Sequence, residues 1–209
     1  MKRAASLLVF TLGLCALSHA ASAQQARKSR KPSAPPTIAS IMNAQLTIVE
    51  QQFVGAAEAM PADKYSFAPS ASIGKYAGVR TFAQEVKHVA TANYYFYSAI
   101  LGRPVPANIT ANKQNNGPDS IQTKEQIIKY LKDSFALGHS AMATLTARNA
   151  TLIVSNPPVP FLNTRLSLAS FGCTHAFDHY GQMIEYLRMN GITPPASQGQ
   201  PPANPSSAD

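Results

Sequence analysis

The sequence predicts an all-α fold, a four-helix bundle with long connections, and three observations support this prediction. Away from the two ends of the chain, the prolines leave four long windows in which a helix can run uninterrupted, roughly 37–60, 70–103, 119–156 and 161–193. Each window repeats apolar residues at helical spacing. No alternating apolar and polar pattern of useful length indicates a β-strand. Four such helices can bury their apolar stripes against one another in a bundle.

The first two predicted helices flank a connection that contains prolines. The apolar stripe of the first helix comprises Ile38, Met42, Val49, Phe53, Ala56 and Met60. The stripe of the second helix comprises Phe82, Val86, Val89, Phe96, Tyr97 and Ile100. The second helix is expected to follow Gly78 and to end at Gly102. Thr81 could cap its start, because a threonine hydroxyl accepts a backbone N–H at that position.

The last two predicted helices carry clear boundary signals. The stripe of the third helix comprises Ile127, Leu131, Phe135, Met142 and Leu145. The stripe of the fourth helix comprises Leu166, Ala169, Cys173, Ala176, Tyr180, Ile184 and Leu187. Thr123 can cap the third helix, and Arg148 is predicted at its end, where a cation favours the helix dipole. Gly191 and then Pro194 form a stop signal after the fourth helix.

The connections 61–77, 103–120 and 150–163 are longer than the loops of most helical bundles. Loops of this length could form walls around a site at one end of the bundle. They could equally be passive crossovers between helices.

The start of the chain has the pattern of a secretory signal peptide. Residues 1–23 begin with a basic pair, continue with an apolar run from Leu7 to Leu17, and end in Ala-Ser-Ala. The run is too short for a transmembrane helix, which needs about 20 apolar residues. We therefore expect residues 1–23 to be cleaved and the protein to be exported to the periplasm or the extracellular space. No stable membrane insertion is expected after cleavage.

The charges and prolines divide the remaining chain. Residues 24–37 are predicted to be a flexible basic linker, 38–195 the helical bundle, and 196–209 a disordered Pro/Ser-rich tail. The chain carries a net charge of +8, but the bundle itself holds 12 basic and 9 acidic residues, which is only +3. No nucleic-acid partner is expected, because the bundle lacks a basic helix face. Cys173 is the one cysteine after cleavage and is expected to be a small buried side chain.

The histidines indicate a metal site. His175 and His179 lie four residues apart on the fourth helix, so both imidazoles share one face. His88 on the second helix could supply a third nitrogen and leave open positions for water or substrate. At 100° per residue, all three lie off the centre of their apolar stripes. That placement predicts a groove between two neighbouring helices, although ordinary surface histidines remain an alternative.

Other metal motifs fit less well. A zinc-protease helix needs a glutamate directly after the first histidine, and Ala176 stands there. Glu85 and His88 have the spacing used in di-iron bundles, but no second pair of that kind exists. A mononuclear site is therefore predicted. Glu85, Asn93 and His139 are offered as residues that could contact the metal ligands or line a substrate pocket.

Three segments resemble the DinB/YfiT-like family of bacterial four-helix bundles. They are AEAMPADKYSFAPS (57–70), VRTFAQEVKHVATANYYF (79–96) and HAFDHYGQMIEYLRMNGITPP (175–195). The resemblance implies a divalent metal, often zinc or nickel, held by the histidines that match the family pattern, which are His88, His175 and His179. It also implies that a homodimer is among the expected assemblies.

The resemblance leaves three classes of function open. The first is a metal-dependent hydrolase acting on an unknown small molecule. The second is a thiol-dependent S-transferase of the same family, which the predicted export disfavours because the thiol cofactors of such enzymes are mainly cytosolic. The third is a non-catalytic module that binds a metal or another ligand.

Overall fold

A computed structural model describes residues 34–109 and 115–199. The predicted signal peptide, most of the basic linker and most of the C-terminal tail lie outside the described residues. Within them the chain forms four long helices, α1 (Ile38–Ala59), α2 (Phe82–Leu101), α3 (Lys124–Ala143) and α4 (Arg165–Met189). The described segments contain no β-strand, and only one isolated bridge joins Ile153 to Thr164. The all-α prediction is confirmed.

Each helix begins with the same capping arrangement. The hydroxyl oxygens of Thr37, Thr81, Thr123 and Thr164 each accept the backbone N–H three residues later, and the side chain there accepts the threonine N–H in return. This capping box satisfies two backbone donors that the first turn leaves unpaired. The caps predicted at Thr81 and Thr123 are confirmed.

The helix ends agree less uniformly with the sequence. α2 ends at Leu101 and is capped by Gly102, which takes a left-handed conformation (φ 65°) that favours glycine. α3 ends at Ala143, before the predicted end at Arg148, so that prediction is wrong. The Thr144 hydroxyl donates to the carbonyl of Ala141 at 2.7 Å, which offers the backbone a local alternative to the next helical turn.

The helices pack in a ring. α1 and α2 each pack mainly against both α3 and α4, so α1 and α2 occupy opposite corners of the bundle. The α2–α4 interface therefore lies on the opposite edge from the α1–α3 interface. The predicted apolar stripes face the shared core, where Leu46, Phe53, Phe82, Phe135 and Leu168 are fully buried.

Tyr97 of α2 occupies the centre of the bundle and is fully buried. A Cβ atom at Gly138 of α3 would lie 2.7 Å from its ring, and one at Gly172 of α4 would lie 2.7 Å from its hydroxyl oxygen. Both positions therefore require glycine, because real Cβ atoms do not approach so closely. The two glycines let the tyrosine ring fit between α3 and α4.

Local contacts fix the chain next to the helix ends. The buried Tyr65 hydroxyl donates to the carbonyl of Ala57 at 2.7 Å. Lys124 Nζ donates to the carbonyl of Met60 at 2.8 Å, which satisfies a free acceptor at the end of α1. Pro195–Ser197 form a 3₁₀ helix that packs on α1, so the folded part continues past residue 195. None of the described helices combines the length and the apolar character needed to cross a membrane.

Candidate metal centre

The structure brings His88, His175 and His179 together at the α2–α4 interface. His88 Nε2 lies 3.3 Å from His175 Nε2, and one ring nitrogen of each of the three histidines lies within 4.8 Å of the others. His179 is buried, and the other two side chains are half-buried. The predicted groove between two neighbouring helices is present.

Two of the three imidazoles have a fixed tautomer. His88 Nδ1 lies 2.9 Å from the carbonyl oxygen of Asn115, and His179 Nδ1 lies 2.5 Å from Glu85 Oε2. A carbonyl or a carboxylate oxygen can only accept, so each Nδ1 carries the hydrogen and donates it. In the neutral form of each ring, Nε2 of His88 and of His179 therefore keeps its lone pair. Asn115 presents its carbonyl from a left-handed conformation (φ 55°), which asparagine tolerates better than most residues.

His175 is held by packing rather than by a hydrogen bond to its outer nitrogen. Its Nδ1 is buried and has no hydrogen-bond partner among the described residues. The rings of Phe96 and Phe171 pack against the imidazole, with centroid separations of 5.6 and 5.7 Å. The contacts leave Nε2 as the nitrogen that faces His88.

Burial keeps two of the imidazoles neutral. It lowers the pKa of His88 to about 4, and it lowers the pKa of His175 to about 3, with a further contribution from the neighbouring histidines. Both side chains are therefore uncharged at neutral pH. The neutral imidazole is the form that binds a metal, because protonation would occupy the lone pair.

The arrangement fits a metal ion. Nitrogens placed tetrahedrally at about 2.1 Å from an ion are about 3.4 Å apart, close to the 3.3 Å between the Nε2 atoms of His88 and His175. Ligating histidines usually donate their other N–H to a carboxylate or a backbone carbonyl, as His179 and His88 do here. The three histidines could therefore hold one metal ion and leave at least one coordination position open.

A cavity of about 480 Å³ opens beside His88 and His175. Its other lining residues are Thr91, Ala92, Tyr95, Phe96, Asn115, Pro158, Val159 and Phe171. Most of this lining is apolar, and Pro158 and Val159 come from the connection between α3 and α4. That connection therefore forms a wall of the site, which was one of the two alternatives for the long loops. The sequence did not single out Phe171, although it lies four residues before His175 on the same helix face.

Of the three accessory residues offered by the sequence, Glu85 lies at the site and is almost fully buried beside His179. Asn93 lies elsewhere, because it is five residues after His88 and so about 140° around α2. Its Nδ2 donates to Ser134 Oγ of α3 at 3.2 Å. The structure corrects the expectation that Asn93 contacts the site.

His139 also lies away from the other histidines. It belongs to α3, and its two ring nitrogens contact Asn43 Oδ1 at 2.6 Å and Glu50 Oε2 at 2.7 Å on α1. This pair of helices forms the opposite edge of the bundle, which corrects the expectation that His139 contacts the site. Cys173 is buried as predicted, and burial raises the pKa of its thiol to about 11, which disfavours the reactive thiolate.

Comparison with known proteins agrees with this architecture. The family model of the DinB superfamily matches residues 45–183, which include all three histidines of the site. A solved DinB-like protein from Bacillus cereus is similar in fold, with a TM-score of 0.56 and 15% identity over 74% of this chain and 93% of that chain. A conserved protein from Enterococcus faecalis is similar with a TM-score of 0.55 and 14% identity over 74% of this chain and 98% of that chain.

Among curated proteins, none matches the chain significantly. At sequence identities of 15% and 14%, the similarity to the solved structures shows only a shared fold. The family model nevertheless covers more than half of the sequence. The chain belongs to the DinB superfamily.

Proposed function

We propose that this protein is a metal-dependent hydrolase with zinc or nickel at the three-histidine site. The observation that carries the proposal is that lone-pair nitrogens from α2 and α4 lie together beside an apolar cavity. Three imidazole nitrogens favour zinc, nickel and similar ions over magnesium or calcium, which prefer oxygen ligands. The metal-binding character of DinB-like proteins supports the same assignment.

The residues around the site have separate tasks in this proposal. A divalent ion bound there would be a Lewis acid that lowers the pKa of a coordinated water, or of an incoming thiol, towards neutrality. Glu85 and the Asn115 carbonyl orient His179 and His88 and hold their protons on Nδ1. Phe96 and Phe171 exclude water from one side and contact the apolar part of a substrate.

A thiol-dependent S-transferase is the second candidate, and the composition of the cavity favours it. Among the described lining residues, the only titratable groups besides His88 and His175 belong to Tyr95. A hydrolase often positions water with a carboxylate or a further histidine, and Glu85 is already bound to His179. A thiol that loses its proton on binding needs no such base.

The first experiment measures metal in the purified protein by mass spectrometry. We expect about one equivalent of zinc or nickel in the wild type and its loss in His175→Ala, while His139→Ala retains the metal. A metal-free wild type after reconstitution, or full retention in His175→Ala, would remove the basis of both enzymatic proposals.

The second experiment separates the functions. The reconstituted protein is incubated with a panel of esters, amides and lactones, and with electrophiles in the presence and absence of glutathione and cysteine. Hydrolysis that needs metal but no thiol supports the hydrolase. Turnover that needs both supports the transferase. A metal-loaded protein without either activity, whose melting temperature falls on metal removal, supports the non-catalytic module.

Export is also part of the proposal, since the pattern of residues 1–23 supports a cleaved signal peptide. The full-length gene product is expressed in a Gram-negative host, the cells are fractionated, and the protein is sequenced from its N-terminus. We expect periplasmic protein that starts near Gln24. An intact N-terminus in the cytosolic fraction would contradict export. It would also remove the argument from export against the thiol-dependent transferase.

A further inference from the structure

We infer that the substrate is an elongated anion whose carboxylate or phosphate end binds between Arg103 and Arg165, while its other end reaches the three histidines. This inference rests on the proposed function, because it names the class of substrate for the same site. Arg165 and His175 are ten residues apart on α4, so their Cα atoms are about 15 Å apart along the helix axis.

The first observation is a second cavity next to the histidine cavity. Its volume is about 690 Å³, and it lies between the end of α2, the start of α4 and the connection that precedes α4. Tyr95 and Pro158 line both cavities. The two therefore adjoin, and one molecule of sufficient length can occupy both.

The second observation is the charge of this cavity. Arg103 and Arg165 line it, and no aspartate or glutamate does. Neither guanidinium forms an ion pair with a carboxylate of the described residues. Arg103 shares an adjoining cavity with Asp133, whose carboxylate is paired with Lys129. Two guanidinium groups that make no ion pair of their own form a favourable site for an oxyanion, which accepts charge-assisted hydrogen bonds.

The third observation is a set of unused donors at the same place. Arg165 donates from one terminal nitrogen to Thr144 Oγ1 at 2.6 Å, but its Nε is buried and has no hydrogen-bond partner among the described residues. The hydroxyl of Ser98, which also lines the cavity, is buried and lacks a described partner. Unpaired buried donors are costly, and an oxyanion that accepted from them after small side-chain rotations would remove that cost.

The fourth observation concerns the rest of the ligand. Leu152 and Ile153 line the cavity and are 56% and 74% exposed, and the adjoining histidine cavity is lined mainly by apolar side chains. An anion with only a polar body would leave these surfaces uncovered. The ligand class is therefore an amphipathic anion, with an acidic group at one end and an apolar chain or ring system leading towards the histidines.

The test uses the metal-free full-length protein and isothermal titration with decanoate and decyl phosphate. We expect saturable binding that Arg103→Gln and Arg165→Gln each weaken about tenfold or more, as expected for loss of a hydrogen bond to a charged group. Arg148→Gln is the matched control, because it removes the same charge from an exposed arginine outside both cavities. We expect it to change the affinity less than about twofold.

The same titrations are repeated with Arg103→Lys and Arg165→Lys, which keep the charge and are expected to recover part of the affinity. The headgroup that depends more strongly on the two arginines identifies the acidic group of the substrate. Absence of saturable binding, or equal affinities for the two glutamine variants and Arg148→Gln, would overturn the inference.

A chain-length series tests whether one ligand spans both cavities. Val159 lines only the histidine cavity and lies in a connection, so Val159→Trp fills that cavity without altering a helix. We expect this variant to weaken decanoate binding at least about fivefold and to leave butyrate within about twofold. Equal effects on the two probes would overturn the single elongated ligand. Because the metal is absent, these outcomes are independent of whether the protein is a hydrolase.

Discussion

Histidines lie at two opposite edges of this bundle, and the two groups use their ring nitrogens differently. Between α2 and α4, His88 and His179 donate from Nδ1 to oxygen acceptors, and Nε2 of His88 faces Nε2 of His175. Between α1 and α3, both nitrogens of His139 contact side-chain oxygens, one from Asn43 and one from Glu50. In the first group, ring nitrogens from different histidines lie close together and could bind one metal ion. In the second group, both nitrogens of the imidazole already contact protein side chains.

The comparison shows that the partners of an imidazole decide its role as much as its exposure does. The His139 side chain is 29% exposed, so its accessibility alone would not prevent it from binding a metal. It nevertheless offers no free lone pair, because each nitrogen already has a protein partner. Glu85 and Glu50 are equivalent in chemistry, but Glu85 orients a ligand that has a second free nitrogen, whereas Glu50 completes a closed pair.

The largest expected effect distinguishes the two groups directly. His175→Ala removes one of three nitrogens, and we expect the metal affinity to fall by more than the roughly 10–100-fold that loss of an outer partner causes. His139→Ala should leave the affinity within about twofold. Competition titrations with a chromogenic chelator measure both. Equal losses in the two variants would contradict the assignment of one group to metal and the other to structure.

The next effect tests the two glutamates against each other. In Glu85→Gln, the amide oxygen can still accept from His179 Nδ1, but the negative charge that raises the basicity of the ring is lost. We expect metal affinity to fall about tenfold, within the range for outer partners. Glu50→Gln is the matched control and should have no effect on metal. An unchanged affinity in Glu85→Gln would show that the carboxylate does not support the ligand.

Most of the fold could be predicted from the sequence, because proline-free windows and apolar stripes act locally. The threonine caps also act locally, and Thr81 and Thr123 were found in this way. The end of α3 was predicted at the wrong residue, because Leu145 continues the apolar stripe and is buried although it lies beyond the helix. An apolar residue at the right spacing can reach the core from a turn as well as from a helix.

The site was predictable only in part. The spacing of His175 and His179 is a property of one helix, so the pair could be recognised without the fold. The position of His139 depends on the order of helices around the bundle, which no local pattern contains. The second cavity could not be predicted for the same reason, because Arg103 and Arg165 line one cavity only when the end of α2 lies beside the start of α4.

A smaller effect concerns the pH dependence of the metal-free protein. Burial holds the pKa of His88 at about 4 and that of His175 at about 3, whereas both are near 6.5 in an unfolded chain. At a pH between the folded and the unfolded pKa values, the unfolded state binds more protons than the folded state. The free energy of unfolding therefore rises with pH in this range. The contribution of the two buried, neutral imidazoles to stability is fully present above pH 6.5. It is lost as the pH falls through the pKa values that His88 and His175 have in the folded protein.

We expect the double variant His88→Gln/His175→Gln to flatten this dependence between pH 7 and pH 4.5, by on the order of 1 kcal/mol per histidine after allowance for solvent screening. The measurement is urea unfolding in the presence of EDTA at a series of pH values. His139→Gln, which leaves the first group intact, serves as the control and should keep the wild-type contribution of His88 and His175. Parallel curves for the double variant and the wild type would contradict burial as the cause.

The smallest expected effect belongs to the closed pair of His139 and Glu50. Both side chains are more than a quarter exposed, so water screens their interaction even though the contact is only 2.7 Å. A double-mutant cycle with His139→Gln and Glu50→Gln should give a coupling free energy below about 1 kcal/mol in urea unfolding, and salt should reduce it further. A coupling of about 2 kcal/mol or more, or a change in metal content in any member of the cycle, would mean that the two edges of the bundle are not independent. The pair would then have to act on the metal site through the core, and Tyr97, wedged between Gly138 and Gly172, would be the first side chain to examine for that coupling.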